Sequence, residues 1–122
     1  MSGLSVISKI YSILDGNSDL KKMVGDRISP DITTPTSMPF IVMIRESVDG
    51  TYTKDGLAND TTMVHIAIAD NKYSREIEIA EKVREILDNY RDSDIKNCYM
   101  DGASEYSMND AYVQELTFKV VM

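Results

Sequence analysis

The residues best suited to chemistry in this chain are few. His65 is the sole histidine. It stands in the run TTMVHIAIAD, between Asp60 and Asp70. An imidazole next to a carboxylate can act as a general base or hold a metal ion. The same run alternates like a strand, which gives His65 a plainer role as a strand residue on the less apolar face. Cys98 is the only cysteine, so no intrachain disulfide can form, and this suits a reducing compartment. A nucleophilic thiol needs a nearby base; without one, Cys98 reads as a small buried hydrophobe. The carboxylates of SREIEIAEKVRE look like paired acids, but helical spacing turns most of them to the solvated face. The chain contains no phosphate-binding loop, dinucleotide fingerprint, zinc-binding Cys/His pattern or nucleophile elbow. The expectation is a non-enzymatic protein with no cofactor and no metal.

The stretch SVDGTYTKDGLAND, Ser47 to Asp60, is the other candidate. Asp49, Thr51, Thr53 and Asp55 alternate as the ligands of a cation loop could. A calcium loop of the helix-loop-helix type needs acids or amides at positions 1, 3 and 5, Gly at 6 and Glu at 12. Counted from Asp49, threonines fill positions 3 and 5, Lys54 occupies the glycine position, and Asp60 stands at 12. A lysine there repels the ion. Neither Gly50 nor Gly56 opens a helix, so a phosphate cradle fails too. Thr51, Tyr52 and Thr53 are good strand formers, and Asp49-Gly50 and Asp55-Gly56 are turn or bulge signals. The stretch reads as a polar β-arm turning near Asp55-Gly56. A two-stranded ribbon is marginal alone in water and gains from a partner surface. The expected contact residues are Asp49, Gly50, Thr51, Tyr52, Thr53, Lys54, Asp55 and Gly56.

Around these residues the chain has 122 positions, read as one domain over 1–122. A chain of this size buries roughly two-thirds of its unfolded surface and needs no staple. Its net charge of -7 argues against non-specific binding to nucleic-acid phosphates, which needs clustered Lys and Arg. An acidic surface keeps the protein soluble, and it would also let DNA slide past without sticking. The N-terminal run MSGLSVISKIYSILDG lacks a basic start and is interrupted by Ser5, Ser8, Lys9 and Ser12, unlike a signal peptide. No run approaches the roughly 18 apolar residues of a membrane span.

Leu4, Ile7, Ile10, Tyr11 and Leu14 recur at helical spacing and predict an amphipathic helix ended by Asp15-Gly16. Asn17 or Ser18 caps a second short helix, DLKKMV, stopped at Gly25. ISPDITTPTSMP then predicts an extended connector, because each proline pushes the preceding residue away from helix. FIVMIRES is apolar on both faces from Phe40 to Ile44, and predicts a strand that is central in its sheet or covered on both sides. TTMVHIAIAD is a strand with Val64, Ile66 and Ile68 on one face. A helix is predicted from Ser74 to Tyr90, with the stripe Ile77, Ala80, Val83, Leu87 and Tyr90, a favourable Glu78–Lys82 pair, and Glu76 among its polar residues. IKNCYM, a turn-like DGASEYSMND and the strand YVQELTFKVVM close the chain; there Leu116, Phe118 and Val120 alternate with Thr117 and Lys119. The fold class is α+β: a small mixed or antiparallel sheet, an N-terminal helix and a second helix packed on one face, and a protruding β-hairpin arm.

The order of these elements resembles a known family. VGDRI at Val24 to Ile28, the Pro-bearing connector, MPFIV, DGTYTKDG, the helix REIEIAEKVREILDNY and the closing YVQELTFKVV are together similar to the tail-completion, or tail-terminator-like, proteins of long-tailed bacteriophages and prophages. The resemblance spans nearly the whole chain and rests on order and spacing, not on one motif. One departure is that relatives carry an aromatic where this chain has Ala67 and Ala69. The resemblance implies a structural virion protein that assembles as a homo-oligomeric ring, hexameric in the virion and monomeric or dimeric in isolation. Such a ring caps the head-proximal end of the tail tube, ends tube polymerisation and joins tail to head. The implied partners are the tail tube protein and a head-completion or connector protein, with DNA passing through the lumen without specific binding and no membrane involved. Assembly would take place in the bacterial host cytoplasm. The resemblance also implies that the arm, with Tyr52, Asp55 and Gly56 at matching positions, contacts neighbouring subunits. Alternatives are another head–tail connector or head-completion adaptor, an adaptor of a contractile injection machine, and a small metal-dependent cytosolic enzyme centred on His65 with Asp60 or Asp70.

Overall fold

The computed structural model describes residues 3–30, 37–108 and 110–122. Among the described residues, five strands form one sheet in the order β1-β2-β3-β5-β4, and three helices cover one of its faces. This is the mixed α+β arrangement expected. The strands are β1 (Ile28–Pro30), β2 (Phe40–Thr53), β3 (Gly56–Asp70), β4 (Asn97–Met108) and β5 (Ala111–Val121). Among the described strands, β1 alone runs parallel to its neighbour, pairing Ile28 with Ile41; the other described pairs are antiparallel.

A 3-10 turn at Gly3–Ser5 leads into α1 (Val6–Asp15), followed by α2 (Ser18–Val24). The buried side of α1 is Val6, Ile10 and Leu14. Leu4, expected on that stripe, is exposed, and Ile7 and Tyr11 flank it half-buried. Asn17 caps α2 as anticipated: its side-chain oxygen accepts from the Leu20 N–H at 3.0 Å. Helix α3 (Tyr73–Leu87) lies across β3, β5 and β4. Lys82 pairs with Asp19 of α2 at 3.7 Å and with Glu85 at 3.5 Å, and not with Glu78. Lys9 ties α1 to the loop after α3 through Asp92 at 2.7 Å and Asp94 at 3.2 Å.

Strand periodicity explains the core. Ile41 and Met43 of β2, Val64, Ile66 and Ile68 of β3, and Leu116, Phe118 and Val120 of β5 all point at the helices and are buried. β2 is an interior strand, paired with β1 and β3, as one form of the expectation has it, but its opposite face is not fully covered: Phe40 and Val42 are half-buried and Ile44 is 39% exposed. The apolar run reflects a strand whose second face is closed only in part.

Two connectors also differ from expectation. The Pro-bearing segment begins as strand β1, although its middle, residues 31–36, lies outside the described residues. The turn-like DGASEYSMND is mostly strand: β4 runs through Asp101-Gly102 with a bulge between Met100 and Ala103. Gly102 sits at φ 138°, which a bulge can use and other residues rarely adopt.

Gly3 shows how closely the N-terminal turn seats on the sheet. Its N–H donates to an Asp60 carboxylate oxygen at 2.8 Å. A Cβ at this position would meet Thr62 Oγ1 at 2.5 Å and Val48 Cγ1 at 2.7 Å. Both neighbours are β-branched and stiff. Gly3→Ala is therefore expected to lower stability by about 1–3 kcal/mol in urea denaturation, as overpacking does.

Candidate functional site

The sheet positions the arm by a mismatch in strand length. β3 pairs with β5 only from Thr61 to Asp70, while the β2–β3 hairpin continues past Thr61 to a turn at Lys54-Asp55. From Asp60 to Gly56 the ribbon advances roughly 13 Å beyond the last β5 partner. At its base, Asp60 and Met122 exchange backbone hydrogen bonds of 3.1 and 2.9 Å, and Lys96 Nζ donates to the Ala58 carbonyl and the Asn59 side chain. At its tip, Thr53 Oγ1 accepts from the Asp55 N–H at 3.3 Å.

Asp49, Gly50, Thr51, Tyr52, Thr53, Lys54, Asp55 and Gly56 are all exposed, and Tyr52 most among them that are large and apolar, at 73%. The reversal falls where the second Asp-Gly pair predicted it, with Gly56 opening β3 opposite Thr53. The first Asp-Gly pair makes no turn: Asp49 and Gly50 continue the ladder opposite Thr61 and Asp60. The irregularities lie instead between Arg45 and Ser47 and between Thr51 and Tyr52.

His65 is not joined to either aspartate proposed for it. An odd separation along β3 puts Asp60 and Asp70 on the helix-covered side and His65 on the other. Its Nδ1 lies 2.9 Å from Thr117 Oγ1, with Glu115 at 3.3 Å and Glu46 at 3.5 Å from the ring nitrogens. Asp60 serves Gly3, and Asp70 serves Arg75. Among the described residues, no group of three His, Cys, Asp or Glu is placed to hold a metal ion, and no helix is long and apolar enough to cross a membrane. Cys98 is buried, and burial pushes its thiol up to about 12, so it is inert as a nucleophile at neutral pH.

At the end of the sheet away from the arm lies a polar cluster that sequence reasoning missed. Asp70 is fully buried where β3 ends. Burial favours its neutral form, but the Arg75 guanidinium and the N–H groups of Lys72 and Asn71 outweigh this and hold its pKa below the usual carboxylate range. Glu76, in the first turn of α3, is fully buried as well, and neither carboxylate oxygen has a hydrogen-bond partner among the described residues. Burial, reinforced by the Glu105 and Asp70 carboxylates, pushes Glu76 up to about 7. Tyr73, edge-on to Tyr112 with ring centroids 5.4 Å apart, sits at the rim of this cluster. A signal was available: Glu76 stands three and four residues before Ile79 and Ala80, in register with Val83 and Leu87 on the buried stripe.

Fold and site together define a small α+β protein with three helices on one sheet face and a long hairpin arm. No protein-family model matches the chain, and no curated protein sequence matches it. Among solved structures, the fold is similar to a chain of the structure described as "Virion of native gene transfer agent (GTA) particle", with a TM-score of 0.78 and 15% identity over 92% of this chain and 90% of that one. At that identity the likeness is one of fold.

Proposed function

We propose that the protein is a structural component of a phage-like particle, which assembles through its arm into a ring at the head-proximal end of the tail tube. The ring ends tube growth and offers the surface to which the head is joined. The observation that carries this reading is the arm itself: eight consecutive exposed residues on a ribbon that extends past the sheet, bearing Tyr52. The likeness in fold to a chain of a virion structure supports it, as does the order of sequence elements shared with tail-terminator-like proteins. An arm that meets a different patch on its neighbour makes a head-to-tail contact, and such contacts close into a ring when the rotation allows. A ring of chains each carrying a net charge of -7 would limit adhesion to passing DNA.

Replacing Thr51 through Ala58 by a two-residue Asn-Gly turn tests the reading. The shortened protein is expected to keep its thermal unfolding midpoint within a few degrees, because Thr51 through Gly56 and Ala58 are exposed. Light scattering is expected to show loss of ring mass. Rings of normal mass from the shortened protein would overturn the reading.

A further inference from the structure

Beside the sheet edge formed by β4 lies a notch between α3 and the strands. Ile77 and Ala80 line it from the helix, and Met100, Ala103 and Leu116 from the sheet. Glu81, Arg84 and Gln114 complete its lining. Its volume is about 170 Å³. An apolar cavity of roughly 150 Å³ is enough to hold a benzene ring. β4 is an edge strand, and Asp101 through Ser107 are exposed along it.

Resting on the ring reading above, we infer that this notch receives Tyr52 from the arm of a second copy of the chain. Three observations converge on that occupant. Tyr52 is an exposed aromatic on a projecting ribbon, and the notch has the size and apolar lining for one ring. The charges next to Tyr52 on the arm, Lys54 and Asp55, are opposite in sign to Glu81 and Arg84 at the notch, so each can face a partner. The arm cannot fill its own notch. Tyr52 pairs with Leu57 of β3, and Leu116 of the notch pairs with Ile66, nine residues further along the same strand. That is about 30 Å along the strand, before the lateral step from β2 across β3 and β5. Arm and notch are thus separate patches on one chain, and a contact made in one direction only, arm to the next notch, is heterologous, as ring closure requires.

An aromatic seated in an apolar pocket is the usual form of an interface anchor, ringed by polar contacts that exclude water. Tyr52→Ala is expected to weaken association by about thirtyfold. Ala103 is exposed, so Ala103→Arg blocks the notch without burying a charge in the core. It is expected to weaken association as strongly.

The decisive experiment is disulfide cross-linking in mixtures at concentrations where light scattering shows assembly. Tyr52→Cys protein mixed with Ala103→Cys protein is expected to give covalent dimers under mild oxidation, and the double variant a ladder of higher oligomers. Tyr52→Cys mixed with Ser8→Cys, on the exposed side of α1, should give none; the native Cys98 is buried and stays out of the reaction. Arg84→Glu is expected to weaken assembly, and Asp55→Arg in the same chain to restore it. Rings that form without a 52–103 cross-link, or that cross-link equally to position 8, overturn the notch assignment and leave the ring reading standing. A chain that never assembles, alone or with tail tubes, overturns both.

Discussion

Replacing Glu76 by Leu is expected to stabilise the protein by roughly 2–3 kcal/mol at pH 8 and to change it little at pH 4. The reason is the cost of an ionised carboxylate with no partner in the interior. Below pH 4.5, Glu76 is protonated in both the folded and the unfolded chain, and its charge costs nothing. As pH rises from 4.5 towards about 7, the unfolded chain releases its proton first, so stability falls. Above about 7 both forms are ionised and the full penalty stands. A shift of this size, at about 1.4 kcal/mol per pH unit, corresponds to roughly 3 kcal/mol. Leu also fills the site with apolar atoms next to Ile79 and Ala80. Urea denaturation at pH 4, 6 and 8 reads the effect as a gap between variant and parent that widens with pH. A variant less stable than the parent at pH 8 would show that the Glu76 carboxylate has a favourable partner.

Removing the neighbouring cation is expected to act in the opposite direction. Arg75→Ala should destabilise the protein by about 2 kcal/mol at neutral pH. Breaking a buried ion pair from one side leaves an uncompensated charge and costs roughly 3–5 kcal/mol. The smaller figure is expected because the Arg75 side chain is 39% exposed and Asp70 keeps two backbone N–H donors. Asp70 has a depressed pKa, so its favourable contribution is present above the ordinary carboxylate range and is lost as pH falls below it. The cost of Arg75→Ala should therefore shrink in acid. The double variant with Asp70→Asn should lose less than the two single losses combined, since the groups share one interaction. Full additivity in that cycle would mean that the pair is not coupled.

The two carboxylates, one buried in an ion pair and one buried without a partner, show where sequence reading stops. Period-2 alternation placed Val64, Ile66 and Ile68 on one face and Leu116, Phe118 and Val120 on another, and the structure joins them in one core. The Asn17 cap and the reversal beside Asp55-Gly56, at Lys54-Asp55, were legible for the same reason: each depends on local geometry that a few residues determine. Glu76 was misread because residue type was weighed above register. Its spacing from Val83 and Leu87 puts it on the buried stripe whatever its charge. The separation of His65 from Asp60 and Asp70 follows from strand parity. Its actual neighbours, Thr117, Glu115 and Glu46, come from β5 and β2, and no local pattern announces such cross-strand pairs. β1 escaped notice because three residues form it and it pairs in parallel, so its existence depends on where α1 and α2 deliver the chain. The candidate contact residues Asp49 to Gly56 were legible as an exposed ribbon. The notch was not, since it forms only when α3 and β4, distant in sequence, are brought together.

As proposed above, this protein would end a tube by forming a ring on it. Negative-stain images of tail tubes, polymerised from the tube subunits of the same particle with and without this protein, test that claim most directly. One ring at one end of each tube is expected, with tubes that stop lengthening once capped. Protein spread along the tube wall, or left in solution while tubes keep growing, would contradict it.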